Sequence, residues 1–242
     1  MSGIGWITAF LDTDETRAPE VERFWCAVAG CELSSRRGTR AEFATLLPPD
    51  GDPFLRAQSV VQSPPGGLHL DLHASDIAGL AAQAEQLGAS ASYHELGYVV
   101  LGSPGGLTFC IVGGPGGRRP EPVRWPRGRS LVDQVCVDVP PSRFEAEVGF
   151  WRRLTGWPEV ETDSGEFRRL ARGEGLPLQL LLQRLDDEQP VATAHLDLAC
   201  DDRAAEVARH VELGALVVRR TDGWTTLRDP SGRQYCVTDR AC

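Results

Sequence analysis

GYVVLGSPGGLTFCIV occupies residues 97–112 and GWTTLRDPSGRQYCVT residues 223–238. Each reads as strand, Pro/Gly turn, strand, the pattern of an antiparallel hairpin, and each has a cysteine at the same place in its second strand. Superposing the two fixes an offset. Trp25/Trp151, Gly30/Gly156, His69/His195, Asp76/Asp202, Gly88/Gly214, Pro104/Pro230 and Cys110/Cys236 are all 126 residues apart. A solenoid repeats every ~20–50 residues, so a period this long means that a whole domain is duplicated. The segment between the copies, GGPGGRRPEPVRWPRGRS, has the composition of an exposed boundary. The expected organisation is one domain over residues 1–113, a Gly/Pro/Arg-rich linker over 114–130 and a second domain over 131–242.

Within each copy the order of elements follows from periodicity. Val21, Phe24, Trp25 and Val28 fall on one helix face, with Gly30 placed to end the helix; Phe144, Val148, Trp151 and Leu154 repeat this before Gly156. HLDLHASD (69–76) and HLDLACDD (195–202) alternate as strands and lead into a second helix, where Asp76 or Asp202 can accept bonds from free backbone N–H groups. Ala204, Val207, Ala208 and Val211 form the expected buried stripe of the last helix. Gly105, Gly106 and Gly232 are expected to serve turns by adopting positive φ. Each copy therefore reads as two βαβββ modules, four in all. The class is α+β, with short curved mixed sheets and one helix per module on the convex side.

Composition excludes several functions. A net charge of -9 and a pI near 5.1 argue against a nucleic-acid partner, because phosphate binding needs a basic face. All 25 basic residues are arginine, so Schiff-base catalysis by lysine is ruled out. Seven scattered cysteines without a CxxC suggest reduced thiols rather than a disulfide framework or zinc knuckle. Neither a leader nor a membrane span is visible after Met1, which gives the expectation of a cytoplasmic protein. No nucleotide-binding or nucleophile-elbow motif occurs.

The HLDL strands, LGA at 87–89 and 213–215, and the SPGGLTFC and DPSGRQYC endings resemble the vicinal-oxygen-chelate superfamily. It includes glyoxalase I, extradiol dioxygenases, fosfomycin-modifying enzymes and bleomycin-resistance binding proteins. The cysteine-containing endings are closest to bacterial glyoxalase-like domain proteins. The resemblance implies tandem glyoxalase-like domains paired within one chain, as a monomer or a homodimer. In metal-dependent members the first residue of the strand entering the second helix is a histidine ligand, a position matched by His69 and His195. The last strand of those members supplies a glutamate, but here Cys110 and Cys236 stand in its place. The first strand would offer a further ligand, for which Thr8 and Gln134 are the matches.

No cofactor is expected. A divalent metal, if bound, would be held by His69, His195 or Gln134, because the hard-cation carboxylate is missing from both last strands. Alternation puts Asp71 and His73 on the face of His69, and Asp197 on that of His195, while Leu70, Leu72, Leu196 and Leu198 point to the helices. Cys110 and Cys236 can pack as small hydrophobes or, beside an imidazole, act as reactive thiols. Tyr98 and Trp224 can line a cup and stack on a ligand ring. The candidate ligand-binding set is thus His69, Asp71, His73, Tyr98, Cys110, Gln134, His195, Asp197, Trp224 and Cys236. The leading expectation is a protein that binds a small apolar or aromatic molecule in a sheet-lined cup, in the manner of a resistance or sequestration protein. The alternatives are a divalent-metal-dependent lyase or isomerase of the glyoxalase type and a non-catalytic scaffold with closed cups.

Overall fold

The computed structural model describes residues 3–63, 65–160, 162 and 164–242; Met1 and Ser2, where no leader was expected, lie outside them. The elements run β1 (Ile4–Asp14), α1 (Ala18–Ala29), β2 (Glu32–Leu33), β3 (Phe43–Leu47) and β4 (Leu55–Val60), then β5 (Leu68–Ala74), α2 (Ile77–Gln86), β6 (Ser90–Glu95), β7 (Tyr98–Gly102) and β8 (Thr108–Val112). A short strand β9 (Val123–Trp125) follows and pairs with the start of β10 (Gly128–Val139). The order then repeats as α3 (Phe144–Thr155), β11 (Glu159–Val160), β12 (Phe167–Leu170) and β13 (Gln179–Arg184), and as β14 (Thr193–Cys200), α4 (Arg203–Glu212), β15 (Leu216–Arg220), β16 (Trp224–Arg228) and β17 (Gln234–Thr238). This is the fourfold βαβββ order read from the sequence. The strands form two open mixed sheets, β2-β3-β4-β1-β5-β8-β7-β6 and β11-β12-β13-β10-β14-β17-β16-β15, with β5–β8 and β14–β17 parallel. No described helix is long and apolar enough to cross a membrane.

The chain divides into two compact units, each drawing on both sequence halves. The first unit joins the start of the chain through Ala9, Leu68–Arg118 and Val135–Ala194. Its core is the face of α3 that the periodicity identifies: Phe144, Val148, Trp151 and Leu154 are all buried. Trp151 packs edge-on against Phe109 of β8, with ring centroids 5.2 Å apart. Its indole N–H donates to Glu147 Oε1 at 2.8 Å, and the other oxygen of Glu147 accepts from the backbone of Gly105 at 2.6 Å. Gly105 corrects the reading from sequence. It does not have positive φ, unlike Gly106 and Gly232; rather, a Cβ there would stand 2.8 Å from the Glu147 carboxylate, so close approach is what excludes a side chain.

The second unit joins Phe10–Gly67, Arg119–Gln134 and His195–Cys242. Here Val21, Phe24, Trp25 and Val28 of α1 are buried, and Trp25 packs against Tyr235 of β17 at 5.1 Å. The indole N–H of Trp25 donates to Asp229 Oδ2 in the DPSG turn at 2.9 Å. Gly30 closes α1 in the left-handed conformation, and Asp202 caps α4 by accepting from Ala205 N, both as read from the sequence.

The α4 stripe is a correction. Val207 is buried, but Val211 is 45% exposed, as are Ala204 and Ala208 by class, and the buried face is Glu206, Val207 and His210. Charged side chains go inside because they satisfy one another. Glu206 Oε1 accepts from Ser130 Oγ at 2.6 Å and lies 3.0 Å from His210 Nε2, while Arg209 donates to the carbonyls of Ala27 and Val28 at the end of α1. Arg209 also stacks on Trp125 at 3.7 Å. A hydrophobicity count has no access to such pairing.

Candidate functional site

Each sheet carries the same row of side chains, and strand register builds it. In the second copy Asp197 of β14 lies directly opposite Cys236 of the parallel strand β17, and Cys236 lies opposite Thr226 of β16. Residues paired across strands share a face, as do residues two apart along one strand. His195 therefore joins Asp197, and Trp224 joins Thr226. Gln134 of β10 completes the row by donating its side-chain amide to Asp197 Oδ2 at 2.6 Å. Leu196 and Leu198, which alternate with these residues, are fully buried on the opposite face.

The atoms converge. His195 Nε2 is 3.3 Å from Asp197 Oδ1 and 3.6 Å from Cys236 Sγ, and Thr226 Oγ1 is 3.6 Å from the same sulfur. Asp197 Oδ1 is buried and makes no hydrogen bond of acceptable geometry. Its partner oxygen Oδ2 has Gln134 and, at 3.9 Å, Arg240 Nη1; Arg240 also pairs with Asp133. Burial acts to raise the Asp197 carboxyl, yet the His195 imidazole beside it, the Arg240 guanidinium and the hydrogen bond from Gln134 hold it below the usual carboxylate range. Cys236 and Asp197 are closed off, whereas His195 keeps 13% of its side chain exposed.

The first copy repeats the plan more loosely. Asp71 is opposite Cys110, and Cys110 is opposite Val100 where the second copy has Thr226. His69 Nε2 is 3.8 Å from Asp71 Oδ1. Thr8, at the position of Gln134, bonds His73 Nε2 at 2.9 Å, and His73 stands where the second copy has Ala199. Tyr98 is half-buried on the same face and packs against Tyr93 at 5.9 Å; Trp224, also half-buried, has the Arg219 guanidinium 5.8 Å from its ring.

The ten residues singled out from sequence thus fall into two clusters along equivalent strands. His69, Asp71 and Cys110 offer ligand atoms within 4.8 Å of one another, and so do His195, Asp197 and Cys236. The carboxylate that each last strand lacks is present in space, two residues beyond each histidine. Thr226 and Arg240 were not singled out. Alternation from Trp224 could have found Thr226, but Arg240 lies past the last strand, where no periodicity applies. None of the seven cysteines is in a disulfide, and burial pushes the thiols of Cys31 and Cys200 up to about 12, which leaves them protonated and unreactive.

Residues 9–112 and 134–238 match the profile of the glyoxalase-like domain. No protein of curated function matches the sequence. Among solved structures, the chain resembles an Mn(II)-bound glyoxalase from Novosphingobium aromaticivorans at 17% identity, with a TM-score of 0.65, covering 98% of this chain and 83% of that one. It resembles the halotolerant catechol dioxygenase BphC at 14% identity, with a TM-score of 0.61, covering 98% of this chain and 86% of that one. A xylose isomerase-like TIM barrel/4-hydroxyphenylpyruvate dioxygenase fusion protein matches at 14% identity and a TM-score of 0.65, covering 98% of this chain; this chain spans 49% of the fusion protein. At these identities the likeness is one of fold.

Proposed function

Because the chain belongs to the glyoxalase-like domain family, we propose that it binds a small molecule with an apolar or aromatic body and a polar end, over the polar row of the second copy. What supports this is the continuous arrangement of Gln134, Asp197, His195 and Cys236 on one sheet face, with Trp224 alongside to pack against a ring. A carboxylate held ionised beside an imidazole can accept a bond from the ligand while the imidazole donates or accepts. Sequestration of a toxic molecule and its conversion begin from the same bound complex. Titration calorimetry across aromatic natural products and small oxygen-rich metabolites tests the reading. A ligand is expected whose affinity falls at least ~10-fold, or ~1.4 kcal/mol, in H195A, while H94A on the exposed edge strand β6 leaves it unchanged. Absence of any ligand, or a ligand indifferent to H195A, would count against it.

One observation favours a second reading, a divalent-metal-dependent lyase or isomerase of the glyoxalase type. It is the convergence of His195, Asp197 and Cys236 on one point, in a fold whose solved neighbours include an Mn(II)-bound glyoxalase. These residues would hold the ion, which would supply a Lewis acid to polarise a substrate oxygen. Gln134 would hold the Asp197 carboxylate in place, and Trp224 would orient the substrate body.

A further inference from the structure

We propose that the ligand of the second copy is an organic anion, an aromatic body bearing a carboxylate, and that Arg219 and Arg228 receive its charged end. The inference rests on the first reading above and adds the ligand's charge and the direction in which it lies.

By register, the polar row of the second copy ends in a guanidinium. Asp197 lies opposite Cys236, Cys236 opposite Thr226, and Thr226 opposite Arg219 of β15. Arg219 owes this place to a bulge. Strict alternation from Leu216, which lies opposite Arg228, would turn residue 219 to the helix side. The register shift between Val217 and Arg219 makes Val218 an extra residue and brings Arg219 round to the face of Thr226. The guanidinium, 5.8 Å from the Trp224 ring, leans along that face. Arg228, two residues beyond Thr226 on β16, joins it by alternation, whereas Arg220, opposite Thr225, is on the other face.

The charge of this edge is unopposed. Arg219 and Arg228 are exposed, and among the described residues neither is paired with a carboxylate. Arg129, Arg233 and Arg240 of the same unit each have one. Together β15 and β16 contain three arginines and no Asp or Glu, in a chain of net charge -9. Such an edge draws an anion, and the guanidinium fork takes a carboxylate through two parallel bonds. At the other end of the row the Asp197 carboxylate repels an anion and accepts from a donor. The ligand therefore lies with a hydroxyl or amine toward Asp197 and its carboxylate toward Arg219, Trp224 flanking the ring. Three strand spacings of ~4.8 Å put the two ends ~14 Å apart at the backbone. The inward lean of Arg219 shortens this to the length of a molecule with one or two rings.

The first copy has the same bulge, between Ala91 and Tyr93, but it delivers a phenol. Tyr93 packs on Tyr98 and donates to Glu95, and Gly102 stands where the second copy has Arg228. The preference for an anion is thus confined to the second copy.

The test is fluorescence titration of the full-length chain with a naphthoate bearing a hydroxyl at the far end of its ring pair, and with the matching uncharged amide. The acid should bind at least ~10-fold more tightly than the amide at low salt, and the ratio should shrink as salt is added. R219A and R228A should each cut the ratio to ~3-fold or less, whereas R220A, which removes the same charge from the opposite face, should leave it unchanged. All three positions are exposed on strands at or next to the sheet edge, so the fold is not at stake in these variants. Equal binding of acid and amide, a ratio that survives the R219A/R228A double variant, or an equal loss in R220A would overturn the proposal. Amide binding that H195A still weakens would then leave the first reading standing. Binding of neither compound would also overturn the proposal, and would reach the first reading only if the broader calorimetric search were empty as well.

Discussion

His210 is wholly inside the protein, and its surroundings set a pH dependence. Its Nε2 is 3.0 Å from Glu206 Oε1 and its Nδ1 is 3.1 Å from the Tyr235 hydroxyl. Burial, the largest influence, pulls its pKa below 6.5 despite the Glu206 carboxylate. Burial acts to raise Glu206, but hydrogen bonds from His210, Arg209 and Ser130 hold it at about 2. Both groups then work in the same direction. Below pH 6.5 the unfolded chain takes up a proton that folded His210 resists; below pH 4.5 it takes up one that folded Glu206 resists. The stability from these residues is whole above pH 6.5 and is lost stepwise toward pH 2. Urea titrations from pH 7.5 to 3.5 should show a falling midpoint, and E206Q, at a cost of ~3 kcal/mol at neutral pH, should flatten the fall below pH 4.5. A native midpoint independent of pH would refute this assignment. None of it was legible in the sequence, where apolar periodicity marks Val207 but carries no signal for Glu206 or His210.

At the scale of elements, the two helices that follow the first strand of each copy use the same device with its parts exchanged. Each presents a buried tryptophan whose indole N–H needs an acceptor. In the second unit the carboxylate comes from the turn, as Asp229; in the first the turn has Ser103 at that position, and the carboxylate comes from the helix, as Glu147, where α1 has Val21. The duplicated copies have thus moved one charge across a contact without losing it. E147V should cost ~2–4 kcal/mol by orphaning the Trp151 and Gly105 N–H groups. Adding S103D should restore most of that loss, because it rebuilds the arrangement of the other unit. Chemical denaturation of both single variants and the double variant measures this; an additive double variant would contradict the exchange. The tryptophans and their stripes were legible because apolar periodicity marks them. The exchange was not, because it shows only once the turn that carries Ser103 and Gly105 is brought against the helix that carries Glu147, a contact between residues 42 apart in sequence.

At the scale of the whole molecule, a 126-residue offset was enough to read the tandem fold, because duplication repeats every local signal at once. Fusion also makes pairing of the halves intramolecular and independent of concentration, and each compact unit draws on both halves. The site was legible only in part. Alternation put His195 and Asp197 on one face, but the register of β14 against β17, which brings Cys236 beside Asp197, is set by long-range pairing. The copies keep one plan and differ in its completion: Gln134 and Thr226 in one, Thr8 and Val100 in the other. The central claim is that donor convergence in the second copy makes a working centre. Anomalous diffraction at the zinc edge, from crystals of the full chain grown with zinc, tests it most directly. The predicted result is a peak within bonding distance of His195 Nε2, Asp197 Oδ1 and Cys236 Sγ; a peak at His69, Asp71 and Cys110 alone, or no peak at either cluster in excess zinc, would contradict it.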